Sequence, residues 1–217
     1  MILSRMELDP TKRETRLALA APGRFHGAIE SAFPGERRRR LWRLDVLHGT
    51  PYLLILSEDC PDLTGAVTQF GIPERQPLWE SRDYSPLLAH AVTASRWLFR
   101  LTANPTVSKS QTGGRGKVLA HVTPHYQKQW LVKQSGRRGF SICEDEFEVV
   151  NSQWLHFDKR GRNAVTLLSV TFEGVLTVTD EVLFRKTLTE GIGRGKAYGM
   201  GLLTLMRFSE TGDGADR

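Results

Sequence analysis

Cysteine is nearly absent: the 217 residues hold two, Cys60 and Cys143, and no CxxC pair. That excludes a disulfide-stapled secreted scaffold and a zinc finger, and makes a reducing cytoplasm the expected setting. No apolar run approaches the roughly 18 residues of a membrane-crossing helix, and MILSRMELDP lacks a signal-peptide pattern, so no membrane partner is expected. Negative charge is missing locally. Between Tyr84 and Cys143 there is no aspartate or glutamate, yet nine lysines and arginines lie there, from Arg96 to Arg138.

What is present extends that asymmetry. The segment 37-RRRRLWR-43 adds five arginines in seven positions, and the net charge is +6. Surfaces built only for solubility intersperse both signs. A long acid-free stretch reads as a field directed at a polyanion, with solvated basic faces as the plain alternative. At 40% hydrophobic, the chain has enough apolar side chains for a packed core and does not have a disordered composition.

Two similar successions of elements run along the chain. Strand-like ILSRMEL is followed by RFHGAIESAF, where Phe25, Ile29, Ala32 and Phe33 recur at helical spacing. RLWRLDVL and YLLILS flank the hairpin signal 48-HGTP-51, and a helix at DLTGAVTQF and a strand around PLWES follow. From 97-WLFRLTA-103 the order recurs. A basic glycine loop, SQTGGRGK, leads to a helix at PHYQKQWLVKQS, then strands at FSICEDEFEVV and AVTLLSVTFEGVLTV. A helix at DEVLFRKTLTE and the strand 202-LLTLMRF-208 complete it.

The expected class is α+β, two ferredoxin-like βαββαβ units in tandem. The expected limits are residues 1–90 and 91–208, with the boundary between about 85 and 94 and a disordered tail at 209–217. This topology serves metabolic enzymes, ligand sensors and RNA-recognition modules alike, so it does not fix the function.

The stretch 189-TEGIGRGKAYGMGLLTL-205 holds five glycines in eleven residues. It is not a P-loop: Ala197 follows Gly195-Lys196 where a magnesium-binding hydroxyl is required, and Glu190 stands at the earlier glycine. Gly116-Lys117 fails likewise, with Val118 after it and Gln111 before it. Two readings remain. The turn either packs tightly inside the protein, or offers Gly193, Gly195, Arg194 and Lys196 to phosphates.

Of six histidines, His26 lies in the first turn of the predicted first helix, about 100° around from Phe25 and toward a flank. A helix start favours a bound phosphate. The plain alternative is a surface histidine paired with Glu30. His121 and His125 have metal-pair spacing, but Pro124 interrupts them and no acidic or cysteine cluster is near, so no metal or cofactor is expected. His48 belongs to a turn, and His90 and His156 have no evident partner. Trp42, Trp97 and Trp130 fall in core-like patterns. In 158-DKRGRN-163, Lys159, Arg160 and Arg162 suit a basic hairpin or an ordinary polar turn. Arg37 to Arg40, and Arg115 with Lys117, read as phosphate contacts or solvated loops.

GIGRGKAYGMGLLTL resembles the carboxy-terminal glycine motif of CRISPR-associated repeat-RNA endoribonucleases. ILSRMELDP, FRLTANPTV and FEGVLTVTD resemble segments of the type I-E branch, often called CasE, in the same order. The resemblance spans nearly the whole chain. It implies tandem ferredoxin-like domains that bind the stem-loop of a CRISPR repeat, cut at its 3′ base without metal, and stay with other subunits of the type I-E interference complex. It also implies a catalytic role for His26, and RNA contacts from the basic hairpin and the glycine turn. Family members commonly carry tyrosine at the position of Gly23, and some carry lysine where this chain has Ser31. Arg24 is then a candidate cation for the reaction's charge. A non-cleaving RNA-binding subunit is the nearest alternative, and a ferredoxin-like metabolic enzyme or sensor a more distant one.

Overall fold

A computed structural model describes residues 1–35, 38–111, 114–159 and 162–208. The first half contains β1 (Ile2–Glu7), α1 (Arg13–Ala20), α2 (Gly23–Ser31), β2 (Leu41–Leu47), β3 (Thr50–Ser57), α3 (Thr64–Phe70) and β4 (Glu80–Asp83). These strands form one antiparallel sheet in the order β2-β3-β1-β4, the ferredoxin-like order. At the β2–β3 hairpin both His48 (φ 51°) and Gly49 (φ 82°) are left-handed, which suits the twist of the paired strands. Helix α4 (Ser85–His90) follows, inside the expected boundary region.

The second half contains β5 (Arg96–Ala103), β6 (Thr106–Gln111), β7 (Gly114–Ala120), α5 (Pro124–Ser135), β8 (Phe140–Ser141), β9 (Phe147–Lys159), β10 (Arg162–Val178), α6 (Glu181–Glu190) and β11 (Leu203–Arg207). Its main sheet runs β11-β5-β10, with β9 and the short β8 both paired to β10, again antiparallel. The chain is therefore a tandem of ferredoxin-like sheets. In β5 alternate residues Trp97, Phe99, Leu101 and Ala103 are buried, as their spacing requires. Helix α6 starts where the Asp180 carboxylate accepts the Leu183 amide at 2.9 Å.

Three expectations need correction. SQTGGRGK is not a loop: it enters the β6–β7 ribbon, with Lys109 paired to Lys117, and Thr112 and Gly113 fall outside the described residues. FSICEDEFEVV is not one strand, because a turn closed by the Glu146 amide on the Cys143 carbonyl (3.1 Å) separates β8 from β9. Helix α1 has no counterpart among the expected elements. It buries Thr15 and Ala18, and Leu19 packs partly buried against the first-half core. The tail from 209 onward lies outside the described residues.

One apolar cluster stays within the first half, uniting Met6, Phe25, Ile29, Trp42, Ile55 and Phe70 beneath its helices. The other joins the halves: Leu41 and Leu56 pack with Trp97, Leu101, Phe172 and Leu203. Arg43, 2% exposed, crosses the same seam. Its guanidinium grips Asp45 through two 2.7 Å bonds. It also donates to the Arg100 carbonyl (2.7 Å), the Leu202 carbonyl (2.9 Å) and Thr204 Oγ1 (2.7 Å) of the second half. Removing one partner of such a pair strands the other in low dielectric. Arg43→Met is expected to cost about 3 kcal/mol of unfolding free energy. Urea denaturation checks this, and an unchanged midpoint would contradict it.

Candidate active site

Pro22 and Gly23 open α2, and the burial of Phe25 and Ile29 fixes its rotation. His26 is therefore turned to the flank, half-buried, as its spacing predicts. The helix start is less open than expected. The Arg24 amide already donates to the Ala21 carbonyl (3.0 Å), and the Phe25 amide to that of Pro22 (3.1 Å). A phosphate beside His26 must draw mainly on side-chain donors.

His26 stands at the wall of a cavity of about 410 Å³ that also involves Gly27, Glu30, Phe33, Gly35 and Arg40. The sequence groups Arg40 with its neighbours as a surface arginine, but its side chain is only 6% exposed. It lies over the Phe33 ring at 4.1 Å and meets Glu30 at 3.4 Å. Four arginines in a row carry no signal that this one turns inward. Arg37 lies outside the described residues. Arg24, by contrast with Arg40, is exposed and pairs with Glu14 of α1 at 3.7 Å.

The glycine stretch wraps the edge strand β2. It continues from α6 into a 3-10 turn (Lys196–Tyr198) bounded by Gly195 and Gly199. Gly199 is left-handed (φ 78°), and a Cβ there would stand 2.7 Å from the Trp42 ring. Only glycine admits this approach. A Cβ on Gly193 would meet Trp130 at 3.3 Å, and one on Gly195 would meet Met200 Sδ at 2.7 Å. Packing against the protein itself thus accounts for these glycines, and the charge of the turn comes from its side chains. Arg194 is exposed, and its backbone forms an isolated bridge to Asn104. Burial holds the Lys196 amine below its ordinary value, and the nearby charges of Arg39 and Arg138 lower it further, opposed by Glu190. Nothing local in the sequence links Arg39 or Arg138 to position 196.

Three predicted elements meet at Gly23. The position of a Cβ on it lies 3.4 Å from the Tyr198 ring of the glycine turn and 3.9 Å from the Phe157 ring of β9. Phe157 and Tyr198 themselves touch, with ring centres 5.0 Å apart. Strand β9 runs on to Lys159, paired with Arg162 of β10, so the expected basic hairpin is present in the backbone. Arg160 lies outside the described residues. Arg115 and Lys117 belong to the separate two-stranded β6–β7 sheet, with Lys117 exposed. Trp42, Trp97 and Trp130 are buried, as core residues should be. Among the described residues no three His, Cys, Asp or Glu side chains gather as metal ligands, and no helix is long and apolar enough to cross a membrane.

Residues 1–207 match the family described as CRISPR associated protein. The chain belongs to that family. It is 31% identical to the CRISPR-associated endoribonuclease Cse3 of Thermus thermophilus, over 94% of this chain and 99% of the relative. Among solved structures it is similar to Thermus thermophilus Cse3 bound to an RNA representing a pre-cleavage complex. That similarity has a TM-score of 0.75 at 27% identity, over 94% of this chain and 98% of the other. Cas6e from Escherichia coli shares the fold, with a TM-score of 0.62 at 18% identity over 96% and 100% of the two chains.

The environment of Lys196 carries its own prediction. A cation whose folded-state pKa is lowered opposes folding at pH values where it is still protonated in the unfolded chain. Lys196→Met keeps the aliphatic stem over Gly201 and removes that charge. A small rise in the thermal midpoint at neutral pH is expected in a melting experiment, because the amine is still partly hydrated. A fall would contradict the assignment.

Proposed function

We propose that the protein is an endoribonuclease that cuts CRISPR repeat stem-loops in precursor RNA at the 3′ base of the hairpin. It needs no metal, acts in the cytoplasm, and stays bound to the guide RNA within the type I-E interference complex. Residues 1–90 supply the histidine, and residues 91–208 supply the basic hairpin and the glycine turn. The observation that carries this reading is the meeting at Gly23 of the His26 helix, the β9–β10 hairpin and the glycine turn. A relative over nearly the whole chain is named an endoribonuclease, and a similar structure holds a pre-cleavage RNA.

The chemistry uses a nucleophile already tethered to the substrate. His26 accepts the proton of a ribose 2′-hydroxyl, and that oxygen attacks the adjacent phosphorus in line with the 5′ oxygen. The bond from phosphorus to the 5′ oxygen breaks, its electron pair leaves with that oxygen, and water supplies the proton that the oxygen takes up. One product ends in a 2′,3′-cyclic phosphate and the other begins with a 5′-hydroxyl. Histidine suits such transfers because its ordinary pKa of roughly 6.5 lies near working pH. Lys159, Arg160, Arg162, Arg194 and Lys196, with Arg115 and Lys117 on the ribbon, hold phosphates of the stem, and Gly193 and Gly195 shape the turn that presents them. A-form RNA offers shape and phosphates more readily than base edges, so this grip depends chiefly on charge.

In EDTA, a hairpin of the cognate repeat is expected to be cut at one site by the wild-type protein. His26→Ala should abolish cutting and leave affinity within a few-fold. Full cutting by that variant would remove His26 from the mechanism. A hairpin bound tightly but left intact by the wild type would make this a non-cleaving subunit. Affinity should fall steeply between roughly 50 and 200 mM salt. Lys196→Met should weaken binding and reduce the slope of log affinity against log salt by about 1. Affinity indifferent to salt would contradict RNA binding.

A further inference from the structure

We propose that Tyr198 is a second catalytic residue, whose phenol donates a hydrogen bond to a non-bridging oxygen of the phosphate under attack. This rests on the cleavage reading above and deepens it. Gly23 and His26 are three residues apart on α2, so they share one face, with Cβ positions about 5–6 Å apart. The Tyr198 ring lies directly on the bare backbone of Gly23. The ring atom nearest the Cβ position is Cε1, at 3.4 Å, with Cδ1 at 3.6 Å. Cε1 adjoins the carbon that bears the hydroxyl, so one edge of the ring, its hydroxyl-bearing half included, lies along the first turn of α2.

The ring is firmly located. Its 3-10 turn is bounded by left-handed Gly195 and Gly199, and Gly199 is wedged against Trp42. Trp42 in turn packs on Phe25 of α2, with ring centres 6.1 Å apart. Phe157 contacts the Tyr198 ring at 53°. Helix α2, strand β2 and the turn thus set the separation of phenol and imidazole by packing, before any RNA arrives. That is the preorganisation a charge-stabilising donor requires.

The donor is also needed. Two first-turn amides of α2 are engaged with the carbonyls of Ala21 and Pro22, and Arg24 is drawn to Glu14. Tyr198 is half-buried, and no hydrogen bond engages its hydroxyl among the described residues. Charge on the non-bridging oxygens grows as the 2′ oxygen bonds to phosphorus. A fixed neutral donor placed there favours the transition state over the ground state.

Tyr198→Phe keeps the ring against Gly23 and Phe157 and deletes only the hydroxyl. In single-turnover cleavage of the repeat hairpin it should slow the chemical step by about 100-fold, with melting temperature and RNA affinity unchanged. Wild-type speed in that variant would overturn the proposal. A merely structural effect is separated by sulphur substitution at the scissile phosphate. With the diastereomer whose sulphur replaces the accepting oxygen, the wild type should slow and Tyr198→Phe should add little further loss. Full multiplication of the two losses with both diastereomers would overturn the hydrogen bond. Failure of the cleavage reading looks different: the wild type would leave the hairpin intact, or His26→Ala would cut normally, and either result overturns this inference too.

Discussion

Three consecutive residues of β2 decide where the rest of the site can be. Leu41 meets Gly191, Trp42 meets Gly199, and Arg43 bonds to Leu202 and Thr204. The same edge strand therefore holds the glycine stretch at three points, through apolar contact, close approach and a buried charge. Trp42 also supports Phe25 of the helix that bears His26. The imidazole of one half and the turn of the other are located from a single strand. A shift of that strand would move both.

This arrangement separates two tasks that glycine and arginine motifs often share. The glycines allow the backbone to close on Trp42, Trp130 and Met200. Arg194 and Lys196 then project charge from a turn whose shape is already determined. Lys196 sits partly desolvated among Arg39 and Arg138, an arrangement that lowers its affinity for a proton in the free protein. Such crowding of like charge is unfavourable alone and favourable once a phosphate neutralises it.

Much of this is legible in the sequence because periodicity reports burial directly. Phe25 and Ile29 fix the rotation of α2 and with it the flank position of His26, and alternate burial in β5 follows its spacing. Pro124 and Gly136 bracket α5 where turn chemistry places them. Contacts across long sequence separation leave no such trace. Gly23 and Tyr198 are remote in the chain, and no local pattern joins them. Arg40 turns inward while the nearby Arg38 pairs with Glu58 on the surface, although the two occupy one arginine run. The engaged amides at the start of α2 reach the carbonyls of Ala21 and Pro22 in the short link from α1, contacts that residue spacing does not report.

The most direct measurement is a structure of the protein with a cognate repeat hairpin carrying a 2′-deoxy nucleotide at the cut site, which blocks attack. The account predicts the scissile phosphate beside Gly23, within hydrogen-bond reach of both the His26 imidazole and the Tyr198 hydroxyl. It further predicts the stem lying along the β9–β10 hairpin. A stem seated on another surface, with His26 remote from the uncleaved linkage, would contradict it.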